Sequence, residues 1–200
     1  MHALLKLSRF IDGLNDRVGK LASWLILAAV LVSSGNAIIR SLWDKSSNGW
    51  LELQWVLFSA VFLLCSGYAL LHHAHVRIDV VYLRWSRRTQ LWIDIFGTVF
   101  FLLPMAILIM VLSWPTFVNA YMSQEVSANA GGLVIWPARL MMPIGFLLLT
   151  LQGLSELIKR IAILRGLLPD PALDNNPSAE EELAQAILST REKPLTAITP

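Results

Sequence analysis

Histidine side chains that could hold a haem or a metal ion crowd into one short stretch of the sequence. His72, His73 and His75 close a long apolar run, and the remaining histidine, His2, lies near the N-terminus. A bis-histidine haem takes its ligands from facing helices, and a dedicated zinc site adds well-placed carboxylates. A cluster at the end of one helix meets neither requirement. The sequence therefore predicts no cofactor and no metal, and these histidines suit a hydrogen-bonding or subunit-contact role.

Three carboxylates, Glu52, Asp94 and Glu156, fall within or beside the apolar runs. A proton or ion path needs such groups near the middle of the bilayer, where they are costly and kept for function. All three lie within about a turn or two of a predicted helix end. No nucleophile–base motif or phosphate-binding glycine loop accompanies them. We predict neither an enzyme nor a self-contained transporter or channel, and no nucleic-acid partner.

Four apolar runs, separated by polar stretches, must position these groups. Of the 200 residues, 56% are hydrophobic and 15% charged, and about 20 apolar residues can cross a bilayer as a helix. This pattern predicts an all-α membrane protein with a four-helix transmembrane domain over residues 21–165. The predicted spans are residues 21–42, 50–72, 90–114 and 136–158. Pro104 is expected to kink the third span, and the lone Cys65 excludes an intrachain disulfide.

Two polar segments flank this domain. Residues 1–20 place apolar side chains at steps of three and four opposite a charged face, which predicts an amphipathic interfacial helix; a plain cytosolic leader is the alternative. A cleaved signal peptide is a further alternative for the first span, although its apolar run continues past the loose cleavage pattern at 35–37. The five prolines of residues 166–200 predict a mostly disordered tail, with a short helix to about Leu188.

The distribution of Lys and Arg predicts the orientation. The N-terminal segment and the second connection carry four each, and three follow the fourth span. The first connection and its margins carry two, and residues 115–135 contain none. Because cytoplasmic loops carry the excess of Lys and Arg, we expect both termini in the cytoplasm and residues 115–135 outside it.

Two polar stripes run along the predicted spans and should face protein or water rather than lipid. They are Glu52, Ser59, Ser66 and His73 on the second span, and Ala29, Ser33, Asn36 and Arg40 on the first. Packing inside the chain's own bundle and docking on a partner subunit are both open, and we predict that at least one stripe meets a partner. Arg40 and Glu52, which share one predicted membrane border, are also predicted to pair.

The ends of the second span resemble a known family. Glu52-x-Gln54 opens this span and His75-Val76-Arg77-Ile78-Asp79 follows it. With four spans, the chain resembles the small membrane subunit of TRAP (tripartite ATP-independent periplasmic) transporters over roughly residues 15–165. Gly131-Gly132, Trp136-Pro137, Pro143-x-Gly145-Phe146 and Gln152-Gly153-x-Ser155-Glu156 further resemble the branch labelled mannitol/chloroaromatic-type.

This resemblance implies a bacterial inner-membrane complex. A periplasmic binding protein would deliver a solute, often a carboxylate, to a large membrane subunit that carries the solute and sodium sites. The small subunit would pack on the static scaffold of that large subunit. The expected structural or partner-contact residues are Arg40, Glu52, Gln54, Ser59, Ser66, His73, His75, Arg77 and Asp79. The alternative is a small membrane anchor of a redox or other enzyme complex, which would need histidines on a second helix.

Overall fold

Helices form over each of the four apolar runs. The computed structural model describes residues 2–43, 48–72, 74, 85–129 and 131–169. Its elements are α1 (His2–Trp43), α2 (Asn48–Leu71), α3 (Arg87–Gly97), a π-helical turn (Thr98–Leu102), α4 (Leu103–Ser123) and α5 (Trp136–Leu164). Helices α1, α2, the continuous α3–α4 stretch and α5 are each long and apolar enough to cross a membrane. The predicted all-α fold with four transmembrane helices is confirmed.

Helix α1 continues without a break through both of its predicted parts. Its 42 residues correspond to about 63 Å of helix, whereas we predicted a separate surface helix over residues 1–20. The buried side chains of this part include two polar ones beside Ile11 of the predicted apolar face. Ser8 and Asn15 are 1% and 0% exposed, while Leu4 and Leu7 of that face are 45% and 49% exposed. Ser8 and Asn15 lie inside because α5 offers them hydrogen-bond partners.

Helices α1 and α5 contact each other and share α2 as a neighbour. Helix α2 packs on both α1 and α5, α4 packs on α5, and the N-terminal half of α1 also contacts α5. Glycine permits a close approach of two helices: a Cβ at Gly145 of α5 would lie 2.7 Å from the carbonyl oxygen of Leu63 in α2. Small residues at such crossings are how membrane helices gain contact without a hydrophobic driving force.

Two prolines shape the third span. The irregularity that Pro104 predicts is present as the π-helical turn just before it, where Leu103 N–H bonds to Thr98 O. We predicted that the span ends at Trp114, before Pro115, whereas α4 continues through Pro115 to Ser123. Proline removes a single backbone donor, and membrane helices tolerate this loss where neighbours satisfy the freed carbonyl.

The described residues of the connection between α4 and α5 form a short bridged turn. Gln124 ends α4 in the left-handed conformation, with φ 47°. Val126 and Val134 then form an antiparallel bridge, and Ser127 N–H bonds to Leu133 O at 2.9 Å. The connection therefore presents a defined surface at the end of the bundle where α1 and α2 are joined.

Candidate functional site

A buried polar cluster joins the N-terminal half of α1 to the C-terminal half of α5. Ser8 Oγ lies 2.7 Å from Ser155 Oγ, and Asn15 Nδ2 donates to Gln152 Oε1 at 2.9 Å. Gln152 Nε2 in turn donates to Asp12 Oδ1 at 2.9 Å. Asn15, Gln152 and Ser155 are fully buried. Because a buried amide or hydroxyl without a partner is costly, these bonds fix the register of α1 on α5.

Charged side chains extend the buried cluster to the third span. Lys159 Nζ lies 3.2 Å from Asp12 Oδ2 and 2.5 Å from Glu156 Oε1. Arg160 lies 3.8 Å from Glu156 Oε2 and 3.6 Å from Asp94 Oδ2. Asp94 belongs to α3, so Arg160 connects α5 to a third helix. Removing one partner from such a buried pair leaves an uncompensated charge, which is strongly destabilising.

The π-helical turn completes this connection. Arg160 Nη1 donates to Thr98 Oγ1 at 3.2 Å and to Asp94 O at 3.3 Å. Thr98 Oγ1 itself donates to Asp94 O at 2.8 Å. Turns of π-helix leave backbone groups available and are frequent at functional positions. Here Thr98, the first residue of the turn, accepts a hydrogen bond from the Arg160 guanidinium of α5.

A second polar cluster, the connection cluster, lies at the other end of the bundle around Glu52. The Glu52 carboxylate accepts hydrogen bonds from Ser127 Oγ, from Asn129 Nδ2 at 2.5 Å and from Leu133 N–H at 2.8 Å. The predicted Arg40–Glu52 pair is wrong, because the carboxylate is engaged by the α4–α5 connection instead. Sequence proximity favoured Arg40, whereas three donors converge on Glu52 from a segment some 75 residues away.

Arg139 gives the same connection a second attachment, and our reading of the sequence missed it. Its Nη1 and Nη2 bond to Glu125 Oε2 and Oε1 at 2.7 and 2.9 Å. This bidentate geometry is the strongest form of an Arg–carboxylate pair. Glu125 O also accepts from Ile135 N–H at 3.0 Å. The signal in the sequence was an acid placed fourteen residues before a first-turn arginine, which no short motif identifies.

The predicted stripe on α2 lies within the chain's own bundle at two of its positions. Glu52 is bound by the connection, and Ser66 Oγ lies 2.7 Å from Leu63 O and 3.4 Å from Gly145 O of α5. Ser59 Oγ donates to Val56 O within its own helix at 2.9 Å. Packing inside the bundle is therefore the alternative that the structure favours for this stripe.

Three residues of the stripe on α1, namely Ser33, Asn36 and Arg40, line an open groove. Ala29 is fully buried. A groove of about 480 Å³, the α1–α2 groove, is lined by Ser33, Asn36, Ala37, Arg40, Ser41, Leu51 and Gln54. Thus two predicted contact residues, Arg40 and Gln54, line the same groove although they come from different helices.

His72 takes the hydrogen-bonding role predicted at the end of the second span. Its Nε2 lies 3.3 Å from Asp16 Oδ1, and its ring packs 4.2 Å from that of Tyr68. Asp16 also pairs with Lys20 at 2.6 Å. The predictions for His73, His75, Arg77 and Asp79, and for the tail from residue 170, lie outside the described residues.

Comparison with protein families matches residues 29–162 to the DctQ component of tripartite ATP-independent periplasmic transporters. Comparisons with curated proteins and with solved structures find no match. The matched range includes most of all four spans and both halves of the connection cluster. Such a component is part of a transporter and is not an enzyme. The match covers more than half of the chain, which belongs to the DctQ family of small TRAP transporter subunits.

Proposed function

We propose that this chain is the scaffold subunit that supports a large, sodium-coupled permease subunit in the bacterial inner membrane. A periplasmic binding protein delivers the solute, which we propose to be a carboxylate, and we propose that the chain belongs to the mannitol/chloroaromatic-type branch. Both termini lie in the cytoplasm. This proposal is supported by family membership, by the charge asymmetry of the connections and by the way the chain uses its own polar groups.

The observation that carries the scaffold role is that the carboxylates of the described residues are engaged within the chain. Each has at least one hydrogen-bond or ion-pair partner: Asp12, Asp16, Glu52, Asp94, Glu125 and Glu156. A coupling ion or a proton path needs an ionisable or carbonyl group that the fold leaves for it. In the part of the chain that the structure describes, these groups hold helices together instead. The subunit therefore stiffens the complex and carries neither solute nor ion.

The two polar clusters act at opposite ends of the bundle. The buried cluster fixes α1, the third span and α5 to one another, and the connection cluster fixes α2 to the α4–α5 connection. Hydrogen-bonded polar networks rigidify the structures that contain them, and among the buried side-chain atoms of the described residues Asn15 Oδ1 alone has no partner. A partner that moves during transport needs a support that does not, and these clusters supply one.

The polar residues after α2 complete the proposal. We propose that His75, Arg77 and Asp79 form a clamp at the cytoplasmic end of the second span, with Asp79 accepting from Arg77 or from the large subunit. Asp79→Asn is expected to reduce the yield of the assembled complex without reducing membrane insertion. A simple stop-transfer cluster needs only positive charge, so a normal yield of the complex would refute the clamp.

The decisive experiment is reconstitution of defined subunits in vesicles that carry or lack a sodium gradient. The solute is the one that mass spectrometry finds in the purified binding protein. Uptake is expected only when this chain, the large subunit and the loaded binding protein are all present. Uptake by this chain alone would overturn the proposal, as would full uptake by the large subunit and the binding protein without it.

A further inference from the structure

The polar side chains of the α1–α2 groove differ from other polar side chains in the spans. Ser66, Ser113 and Thr150 each donate to a backbone carbonyl three or four residues earlier in their own helix. The polar side chains that line the groove make no hydrogen bond or ion pair with any described residue: Ser33, Asn36, Arg40, Ser41 and Gln54. Unsatisfied polar groups at membrane depth are costly. They therefore call for a ligand from outside the described residues.

The composition of the groove defines that ligand. Arg40 offers five N–H donors and no acceptor, and the amides and hydroxyls around it can all donate. Among its described lining residues there is no carboxylate. A guanidinium binds phosphate oxygens in a bidentate manner. The ligand is thus anionic and rich in acceptors, and a phosphodiester has this chemistry.

The depth of each donor distinguishes a lipid from a free anion or a single acidic side chain. Trp43 and Trp50, which are 63% and 47% exposed, mark a membrane border, where tryptophan is enriched. Arg40 precedes Trp43 by three residues, or about 5 Å along the helix, and Ser33 by ten, or about 15 Å. Arg40 and Ser41 therefore lie nearest the border, and Asn36 and Ser33 lie deeper. A phospholipid has the same order: phosphate at the border, then ester carbonyls, then acyl chains.

We propose that the α1–α2 groove binds one phospholipid from the leaflet at this end of the bundle. The phosphodiester bonds to Arg40, with Ser41 and Gln54 beside it. The ester carbonyls accept from Asn36 and Ser33, and the acyl chains continue toward the middle of the bilayer. This site depends on neither the large subunit nor the proposed transport role, so its test stands apart from theirs.

The first test measures lipid retention by native mass spectrometry of the full chain. Dioleoyl phosphatidylglycerol is added to delipidated protein, and one tightly retained molecule is expected. Arg40→Gln should weaken binding about ten-fold or more, because it removes a charge-assisted bidentate contact. The matched control is Arg17→Gln, which removes an exposed cation from the other end of the bundle. Equal retention by both variants would overturn the proposal.

Two further probes separate the lipid from a free phosphate. Dioleoylglycerol keeps the acyl chains and lacks the phosphate, and it should bind wild type more weakly than the phospholipid. Glycerol 3-phosphate keeps the phosphate and lacks the chains, and it should not displace the bound lipid at equal concentration. Displacement at equal concentration would assign the groove to a soluble anion and overturn the lipid site. Unchanged thermal unfolding of Arg40→Gln, expected because Arg40 has no described partner, excludes misfolding as the cause of lipid loss.

The second test identifies the occupant in the native membrane. A photo-reactive amino acid at Ala37, which lines the groove, is activated in membranes that also contain the large subunit. A phospholipid adduct on residues of this groove is expected. Crosslinking to a protein chain without any lipid adduct would show that a partner's side chain occupies the groove, and it would refute the proposal.

Discussion

Replacing Glu52 by glutamine tests whether one carboxylate organises the connection between α4 and α5. Glu52 accepts from Ser127 Oγ, Asn129 Nδ2 and Leu133 N–H. Glutamine keeps the size and one acceptor oxygen, but it loses the charge and turns an N–H₂ group toward a backbone donor. We therefore expect the connection to open more often, while the helices stay folded.

The magnitude follows from the number and exposure of these bonds. Hydrogen bonds to charged groups contribute about 1.5–3 kcal/mol each, against about 1 kcal/mol for neutral ones. Glu52 is only half-buried, and Asn129 and Leu133 are exposed, so water replaces part of what is lost. We expect a cost of about 1–2 kcal/mol for local opening, which corresponds to about a 5–30-fold rise in the open population.

Hydrogen exchange with mass spectrometry measures the population in which the connection is open, because local opening exposes hydrogen-bonded amides to solvent. Leu133 N–H bonds to Glu52 itself, and Ser127 N–H and Ile135 N–H bond to carbonyls that the same fold positions. Exchange in residues 127–135 should accelerate by the predicted factor, and peptides from the middle of α5 should not change.

The control is Gln54→Leu, two residues further along α2, whose side chain lines the α1–α2 groove and not the connection. This variant should leave exchange in residues 127–135 at the wild-type rate. If Glu52→Gln leaves that rate unchanged as well, the carboxylate does not hold the connection and the geometric reasoning fails.

Three other predictions test the bundle and its orientation. Gln152→Leu removes the hydrogen-bond partner of the fully buried Asn15 amide. In a denaturant titration it should lower the free energy of unfolding by about 2–4 kcal/mol. A loss as small as that of an exposed-site variant would contradict the network. Gly145→Val places side-chain atoms against Leu63, where even a Cβ would lie 2.7 Å from the carbonyl oxygen. It should reduce the yield of folded protein in size-exclusion chromatography in detergent. The control Gly35→Val should reduce this yield far less, because nothing lies within 4 Å of a Cβ at that site. Reporter fusions at Arg88 and Asn129 should report opposite compartments, and a shared compartment would refute the four-span orientation.

The apolar runs of the sequence were enough to predict the four membrane helices. Length and hydrophobicity decide whether a segment can cross a bilayer, and these are local properties. Gln152 and Glu156 could be recognised as unusual for the same reason, since a polar group in a span needs a partner. Gln152 bonds to Asn15 of α1, which lies 137 residues away, and Arg160, the neighbour of Glu156 on α5, bonds to Asp94 of α3, which lies 66 residues away. No local pattern identifies these distant partners.

Hydrophobic periodicity did not identify which side chains of the first part of α1 are buried. It correctly indicates which face of a helix is apolar, but it does not say which face lies inside the protein. In water the apolar face is buried, whereas in a membrane protein lipid can cover it. Ser8 and Asn15, with Ile11 between them, then pack inward, and the two polar side chains bond to Ser155 and Gln152 of α5. The sequence of one helix does not reveal this arrangement unless the donors and acceptors of its neighbour are known.

The unbroken course of α1 fixes the number of residues between its two sets of contacts. Ser8 and Asn15 meet α5, while Ala22 and Ala29 are buried further along the same helix. One residue inserted between these sets would rotate one relative to the other by about 100° and turn the polar face away from α5. An insertion of seven residues would rotate it by only about 20°. Length changes in this part of the helix are therefore tolerated in steps that preserve helical phase, and single-residue insertions or deletions are not.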